Sequence, residues 1–253
     1  MVTGARSFPP LVRPTAPRLI PVMTIAESSS SSRVAHFTTE RTARCVVRGP
    51  EDPSAVRELW IVLHGYGQLA RAIVTSIASI DDGTRLIVAP EALSRFYNSG
   101  GSRDSHQEAT VGASWMTRED RLSEIADQMT WLQKARDAFA APLAPGVPLT
   151  VLGFSQGAAA ASRWVASGRV NAARCICWGG AIAPEVDLGE SSPLRAARTY
   201  LVVGNRDRFI SEEQVATERA RLDAAGLPYT FVDFDGGHRL DDATLRRFTE
   251  GSL

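Results

Sequence analysis

The side chain best placed to act as a nucleophile is Ser155, at the apex of Gly153-Phe154-Ser155-Gln156-Gly157. The spacing has a steric logic. A serine on a sharp strand-to-helix turn is exposed in strained backbone geometry, and glycines two positions to either side let neighbouring chain pass closely. Such a pentapeptide also arises by chance, so its surroundings decide its meaning. Here it follows the apolar Leu149-Thr150-Val151-Leu152 and opens onto Ala158-Ala159-Ala160-Ala161, a strand before and a small-residue helix after. A plain glycine-lined turn leaves the serine at its apex unexplained.

A serine hydroxyl needs a neighbouring base to become a nucleophile. The chain has four histidines: His36, His64, His106 and His238. His36 borders a polar N-terminal segment, and His106 falls in an irregular stretch. His64 precedes two glycines at an early strand end and is expected only to pack its loop. His238 follows the last strand and completes the chain order Ser, Asp, His, so it is the expected base. Asp207, just beyond the preceding strand, is expected to orient the imidazole and stabilise its charged form. Its competitors are Asp187, in a loop, and Asp233 and Asp235, on the histidine's own strand end where a turn role is expected. Two N–H donors are needed for the oxyanion of a tetrahedral intermediate. The expected ones are the backbone amides of Gln156 and of Tyr66, in His64-Gly65-Tyr66-Gly67.

The elements that must carry these groups alternate along the chain. Apolar runs predict strands at 59–63, 85–89, 147–152, 175–178, 199–203 and 229–234. An earlier strand is expected over Phe37–Val47. Helical spacing covers 69–80, Arg121–Ala140, Ala158–Ser167, 211–225 and about 241–250. In the longest helix Leu122, Ile125, Met129 and Leu132 form the expected apolar stripe, with Thr117 as cap and Asp120 three positions on. Strands alternating with helices predict an α/β fold, a mostly parallel sheet with helices on both faces and ligands at the carboxyl ends of the strands. Residues 1–33, rich in Pro, Ser and Arg, read as a disordered tail. The remainder, 34–253, reads as a single domain with an irregular insertion near 91–118.

The strings Leu63-His64-Gly65-Tyr66-Gly67, Gly153-Phe154-Ser155-Gln156-Gly157-Ala158, Gly204-Asn205-Arg206-Asp207 and Gly237-His238 together resemble the phospholipase/carboxylesterase family, over roughly residues 55–250. That family includes the acyl-protein thioesterases and small bacterial carboxylesterases. The resemblance implies an α/β-hydrolase fold and hydrolysis of carboxylic ester or thioester bonds without cofactor or metal. By motif position it implies a triad of Ser155, Asp207 and His238 with Tyr66 and Gln156 as oxyanion donors. Two features depart from the pattern. Gln68 stands where members often carry Asp, and the 91–118 insertion is unlike the shorter acyl-binding loop of the thioesterases. Phe96, Tyr97, Trp115 and Met116 are therefore candidate substrate-binding residues, with packing of the insertion onto the sheet as their alternative role. The expected activity is that of a serine esterase acting through an acyl-enzyme on short- to medium-chain esters, with lysophospholipids and thioesters as further candidates. A peptidase of the same fold and a non-catalytic binding protein on this scaffold are the alternatives. The first needs a site for a peptide side chain, and the second usually loses a triad member.

Composition narrows the partners. The 28 basic and 28 acidic residues balance to zero net charge and are interspersed, which argues against nucleic acid or an anionic membrane as partner. No apolar run approaches the ~20 residues that span a bilayer. Cys45, Cys175 and Cys177 lack metal-site spacing, and the last two would share one strand face. They read as small buried hydrophobes of a reduced, cytoplasmic protein. A small-molecule or lipid ester is the expected partner, and an apolar rim would also admit a homodimer. The apolar stretch from Leu19 is short and broken by Pro21, unlike a signal peptide. Met23 is an alternative start of the chain.

Overall fold

The computed structural model describes residues 32–98 and 109–253. The expected tail, apart from Ser32 and Arg33, and His106 lie outside the described residues. Residues 32–41 contain no helix or strand, and Thr42–Leu253 forms a compact unit of its own. Its strands are β1 (Cys45–Arg48), β2 (Glu58–Leu63), β3 (Arg85–Pro90), β4 (Ser94–Tyr97), β5 (Val111–Ser114), β6 (Leu149–Phe154), β7 (Arg174–Trp178), β8 (Arg198–Gly204) and β9 (Tyr229–Phe234). Its helices are α1 (Ala70–Ser76), α2 (Arg121–Ala140), α3 (Gln156–Ala166), α4 (Glu212–Ala224) and α5 (Asp242–Thr249).

Seven strands make the central sheet, in the order β1-β3-β2-β6-β7-β8-β9. All neighbours are parallel except the edge strand β1, which runs antiparallel to β3. Alternation along each strand sorts the core into two layers. Leu59, Ile61 and Leu63 of β2, Val151 of β6, Cys175 and Cys177 of β7 and Leu201 of β8 pack with residues of α2, α3 and α4. Their neighbours Trp60, Val62, Leu152, Ile176, Trp178 and Val202 pack with α1 and α5. The expected α/β class, with helices on both faces, is what the chain adopts. Strand order reverses between β2 and β6, because β3 lies beyond one and β7 beyond the other. The helices that follow these two central strands, α1 and α3, belong to opposite layers. A crevice must therefore open at their carboxyl ends.

Several elements differ from the sequence expectation. Of Phe37–Val47 only Cys45–Val47 belongs to a strand, since β1 is limited to the residues that pair with Ile87–Pro90. The insertion is not wholly irregular: β4 and β5 form an antiparallel pair, Ser94 opposite Ser114 and Tyr97 opposite Val111. In α2, Met129 and Leu132 of the expected stripe are buried and Ile125 packs partly buried against the core, but Leu122 is 75% exposed and Ala135 extends the buried face in its place. Asp120 rather than Thr117 occupies the cap position of α2, in left-handed geometry (φ 48°) with no side-chain cap bond. Thr117 instead donates its N–H to Glu124 in the first turn. Among the described residues no helix is long and apolar enough to cross a membrane.

Glu91, directly after β3, has a side chain only 1% exposed. It accepts hydrogen bonds from Arg44 (2.8 and 3.0 Å), Arg95 (2.6 Å) and the Ala70 N–H (3.3 Å). One carboxylate thus ties the approach to β1, strand β4 and the start of α1 to the end of β3. Burial pushes its pKa up, but the Arg44 and Arg95 guanidiniums outweigh that and hold it below the ordinary value. A depressed carboxylate pKa contributes stability above the unfolded-state pKa, and the contribution is lost as pH falls through the folded-state value. Glu91→Gln is therefore expected to cost on the order of 1 kcal/mol at neutral pH, about 2–4 °C of Tm. The difference from wild type should shrink as thermal melts are taken to acid below the carboxylate range, and a pH-independent difference would contradict this assignment.

Candidate active site

Ser155 joins β6 directly to α3 and has φ 54° and ψ −119°, one of two non-glycine residues with positive φ among those described. Such backbone costs about 1–3 kcal/mol and persists only where its surroundings over-determine it. The surroundings do so. The Ser155 N–H donates to Trp178 O at 2.8 Å, anchoring the turn to the end of β7. The flanking glycines are required because no side chain fits. A Cβ on Gly153 would stand 2.1 Å from Gly157 O, and one on Gly157 2.3 Å from Leu63 O. A Cβ on Gly180, in the loop after β7, would stand 2.4 Å from Ser155 O.

The loops after β8 and β9 are laced together. Asn205 N–H donates to Phe234 O (2.9 Å), Arg206 N–H to Gly236 O (2.9 Å) and Gly236 N–H to Asn205 Oδ1 (3.2 Å). This brings Asp207 to His238. The Asp207 side chain is 1% exposed, and its Oδ2 lies 2.7 Å from His238 Nδ1. Its Oδ1 accepts from the Phe209 (2.8 Å) and Ile210 (3.2 Å) amides, so the carboxylate is fixed from both sides. With Nδ1–H donating to Asp207, the imidazole keeps Nε2 as its free nitrogen. Phe154 and Phe209 each pack on the ring at 4.8 Å, and Trp178 Nε1 donates to Arg239 O to hold the following loop. Two of the three competing carboxylates are engaged elsewhere. Asp187 accepts from Gly189 N–H in its own turn, and Asp235 pairs with Arg206 at the surface.

Ser155 and His238 line one cavity of about 300 Å³, with no direct hydrogen bond between hydroxyl and imidazole. Its walls are largely apolar, from Leu201, Val203, Phe209, Val215 and Phe231, with Gln214 and Glu218 of α4 as polar members. None of these was anticipated from sequence. Trp115, Phe96, Tyr97 and Met116 are not among the lining residues. Trp115 is 3% exposed, stacks on His64 at 5.1 Å and donates Nε1–H to His64 O at 2.8 Å, which is packing. Phe96 packs on the ring of Tyr66 at 5.1 Å, Tyr97 is exposed, and Met116 is half-buried with its carbonyl bound by Gln156.

The loop after β2 abuts the serine, since a Cβ on Gly65 would lie 3.2 Å from Ser155 Cβ. Three of its amides are occupied: Gly65 N–H by Gln68 Oε1 (2.9 Å), Gly67 N–H by Ala113 O (3.0 Å) and Gln68 N–H by Gly65 O (3.2 Å). The amides of Tyr66 and Gln156 have no partner among the described residues. Two free N–H groups therefore flank Ser155, the second at the amino end of α3. His64 is fully buried and held through both nitrogens, as its packing role requires. Among the described residues no three His, Cys, Asp or Glu side chains cluster as metal ligands do.

No family model and no curated protein sequence matches the chain. Solved structures do. An acyl-protein thioesterase 2 from Zea mays superposes with TM-score 0.63 at 17% identity, over 83% of this chain and 99% of that one. A carboxylesterase from Bacillus cereus gives 0.59 at 15% identity, over 83% and 92%. A carboxylesterase from Mesorhizobium loti gives 0.58 at 20%, over 77% and 89%. At these identities the likeness is one of fold, and the fold is that of the α/β-hydrolases.

The elbow makes a steric prediction. Alanine is the better helix former by about 1 kcal/mol, yet in Gly157→Ala the added carbon would meet Leu63 O at 2.3 Å and His64 O at 2.7 Å. The clash should win, with a net loss of about 2–3 kcal/mol and a Tm lowered by roughly 5–10 °C in thermal melts. A Tm at or above wild type would refute the close packing.

Proposed function

We propose that this chain is a serine hydrolase that cleaves carboxylic ester or thioester bonds through an acyl-enzyme, akin to the phospholipase/carboxylesterase family its motifs resemble. The observation that carries the reading is the His238–Asp207 pair sharing one cavity with a serine held at φ 54°. The structural likeness to an acyl-protein thioesterase and two carboxylesterases supports the same class.

In this reading His238 Nε2 takes the Ser155 proton as Oγ attacks the substrate carbonyl carbon. Asp207 keeps the ring in the Nδ1–H tautomer and stabilises the imidazolium that forms. The carbonyl oxygen gains negative charge in the tetrahedral intermediate and is met by the free N–H groups of Tyr66 and Gln156. Collapse expels the alcohol or thiol, which takes the proton from His238. Water then repeats the sequence on the acyl-enzyme, releasing the acid and regenerating the serine. Amino-acid groups alone close every proton transfer.

The cavity argues for modest substrates. At ~30 Å³ per water-sized group, 300 Å³ holds on the order of ten heavy atoms, and its walls suit hydrocarbon. Turnover of a p-nitrophenyl ester series should accordingly be best at about four to eight acyl carbons. In Ser155→Ala it should fall by about 10⁴–10⁶ with the fold intact by circular dichroism. A folded Ser155→Ala variant with near-wild-type turnover would refute the proposed nucleophile.

A further inference from the structure

The free Tyr66 amide is aimed by its own peptide group. The preceding carbonyl, Gly65 O, accepts twice: from His64 Nδ1 at 2.8 Å and from Gln68 N–H at 3.2 Å. A trans peptide is planar, with its C=O and N–H pointing in opposite directions. Holding the Gly65 oxygen therefore turns the Tyr66 N–H the other way and withholds it from the loop's internal bonding.

His64 can donate from Nδ1 only in one tautomer, and its second nitrogen selects that tautomer. Nε2 accepts the Ala92 N–H at 3.1 Å, so it carries no proton and the ring's single proton sits on Nδ1. Burial holds the imidazole below its ordinary pKa, in agreement with a neutral ring. The end of β5 steadies this arrangement. Trp115 donates its indole N–H to His64 O (2.8 Å) and its backbone N–H to Gln156 Oε1 (3.0 Å), while Gln156 Nε2 donates to Met116 O (2.8 Å). Both amide-bearing segments beside Ser155 are thus braced against one strand end.

We propose that His64, steadied by Trp115, is a positioning residue that aims the Tyr66 N–H of the oxyanion hole by holding the Gly65 carbonyl, a role that rests on the serine-hydrolase reading above. The antiparallel pair of β4 and β5 then serves as a strut for the hole.

Two variants separate the two nitrogens. His64→Asn places an amide nitrogen where Nδ1 stands, keeping the donor to Gly65 and giving up the acceptor for Ala92. His64→Gln reaches the Nε2 position, keeping a partner for Ala92 and giving up the donor to Gly65. Each is assayed for p-nitrophenyl ester hydrolysis, for affinity toward an alkyl boronic acid that forms a tetrahedral serine adduct, and for Tm. His64→Asn should keep kcat within about threefold of wild type. His64→Gln should lose about 10- to 100-fold in kcat at unchanged KM, less than the 10²–10³ that outright loss of an oxyanion donor costs, with boronate affinity falling in parallel. Equal kcat losses in both variants, losses that track Tm, or wild-type kcat in His64→Gln would overturn the role. Should His64→Gln fail to fold, Trp115→Phe carries the test, since it keeps a ring against His64 but loses the bond to its carbonyl. A severalfold fall in kcat at unchanged KM is then expected, and unchanged kcat overturns the role. Wild-type protein inert toward every ester would overturn the serine-hydrolase reading and this role with it. An active wild type with insensitive His64 and Trp115 variants overturns this role alone.

Discussion

The turn at Ser155 can exist only because chain passes through space that side chains would otherwise fill. Its left-handed backbone is strained, and the strain is sustained by the bond to Trp178 O and by glycines at 153, 157 and 180. Each glycine admits a different neighbour: Gly157 admits the end of β2, Gly153 the start of α3, and Gly180 the serine's own carbonyl. The ends of β2, β6 and β7 are thereby drawn within backbone contact of one another. Loosening this packing would cost the serine its exposure and the loop after β2 its proximity to it.

That packing occurs where the strand order reverses, and the coincidence has a physical origin. β2 and β6 are neighbours whose following helices lie in opposite layers, so the chain diverges above them. Amides in the diverging segments lose the partners a continuing ladder would supply. Gly65 and Gln68 recover one within their loop, Gly67 from Ala113 and Ser155 from Trp178, and Tyr66 and Gln156 do not. In a protein interior an unpartnered N–H is a cost. At a site where negative charge develops it becomes a preorganised donor, because the cost was met on folding rather than during reaction. The His238–Asp207 pair reaches the same crevice from β8 and β9, whose loops are hydrogen-bonded to each other before either reaches the serine.

The grouping of Ser155, Asp207 and His238 was legible because each sits just after an apolar strand, and parallel strands bring their carboxyl ends together. Gly65 and Gly67 likewise marked the loop that carries Tyr66. The cavity wall was not legible. Leu201, Val203 and Phe231 are strand residues of the kind that fill any sheet face, and only the placement of α4 leaves space above them. For Trp115 the sequence left substrate binding and packing open, because an aromatic in a polar stretch serves either, and only the structure shows its indole N–H bound to His64 O. The β4–β5 pair escaped notice because Ser94-Arg95-Phe96-Tyr97 is short and polar, and its register depends on contacts with Gly67 and Gln68 that lie elsewhere in the chain. Leu122 followed helical spacing yet faces solvent, since periodicity marks a face without saying what covers it.

The account stands on Ser155 being an activated nucleophile. Incubation of the full chain with a fluorophosphonate, followed by proteolysis and mass spectrometry, reads this directly. A single adduct on the peptide containing Ser155, abolished in Ser155→Ala and slowed in Asp207→Asn, is the predicted result. Absence of labelling, or an adduct on a different serine, would contradict it.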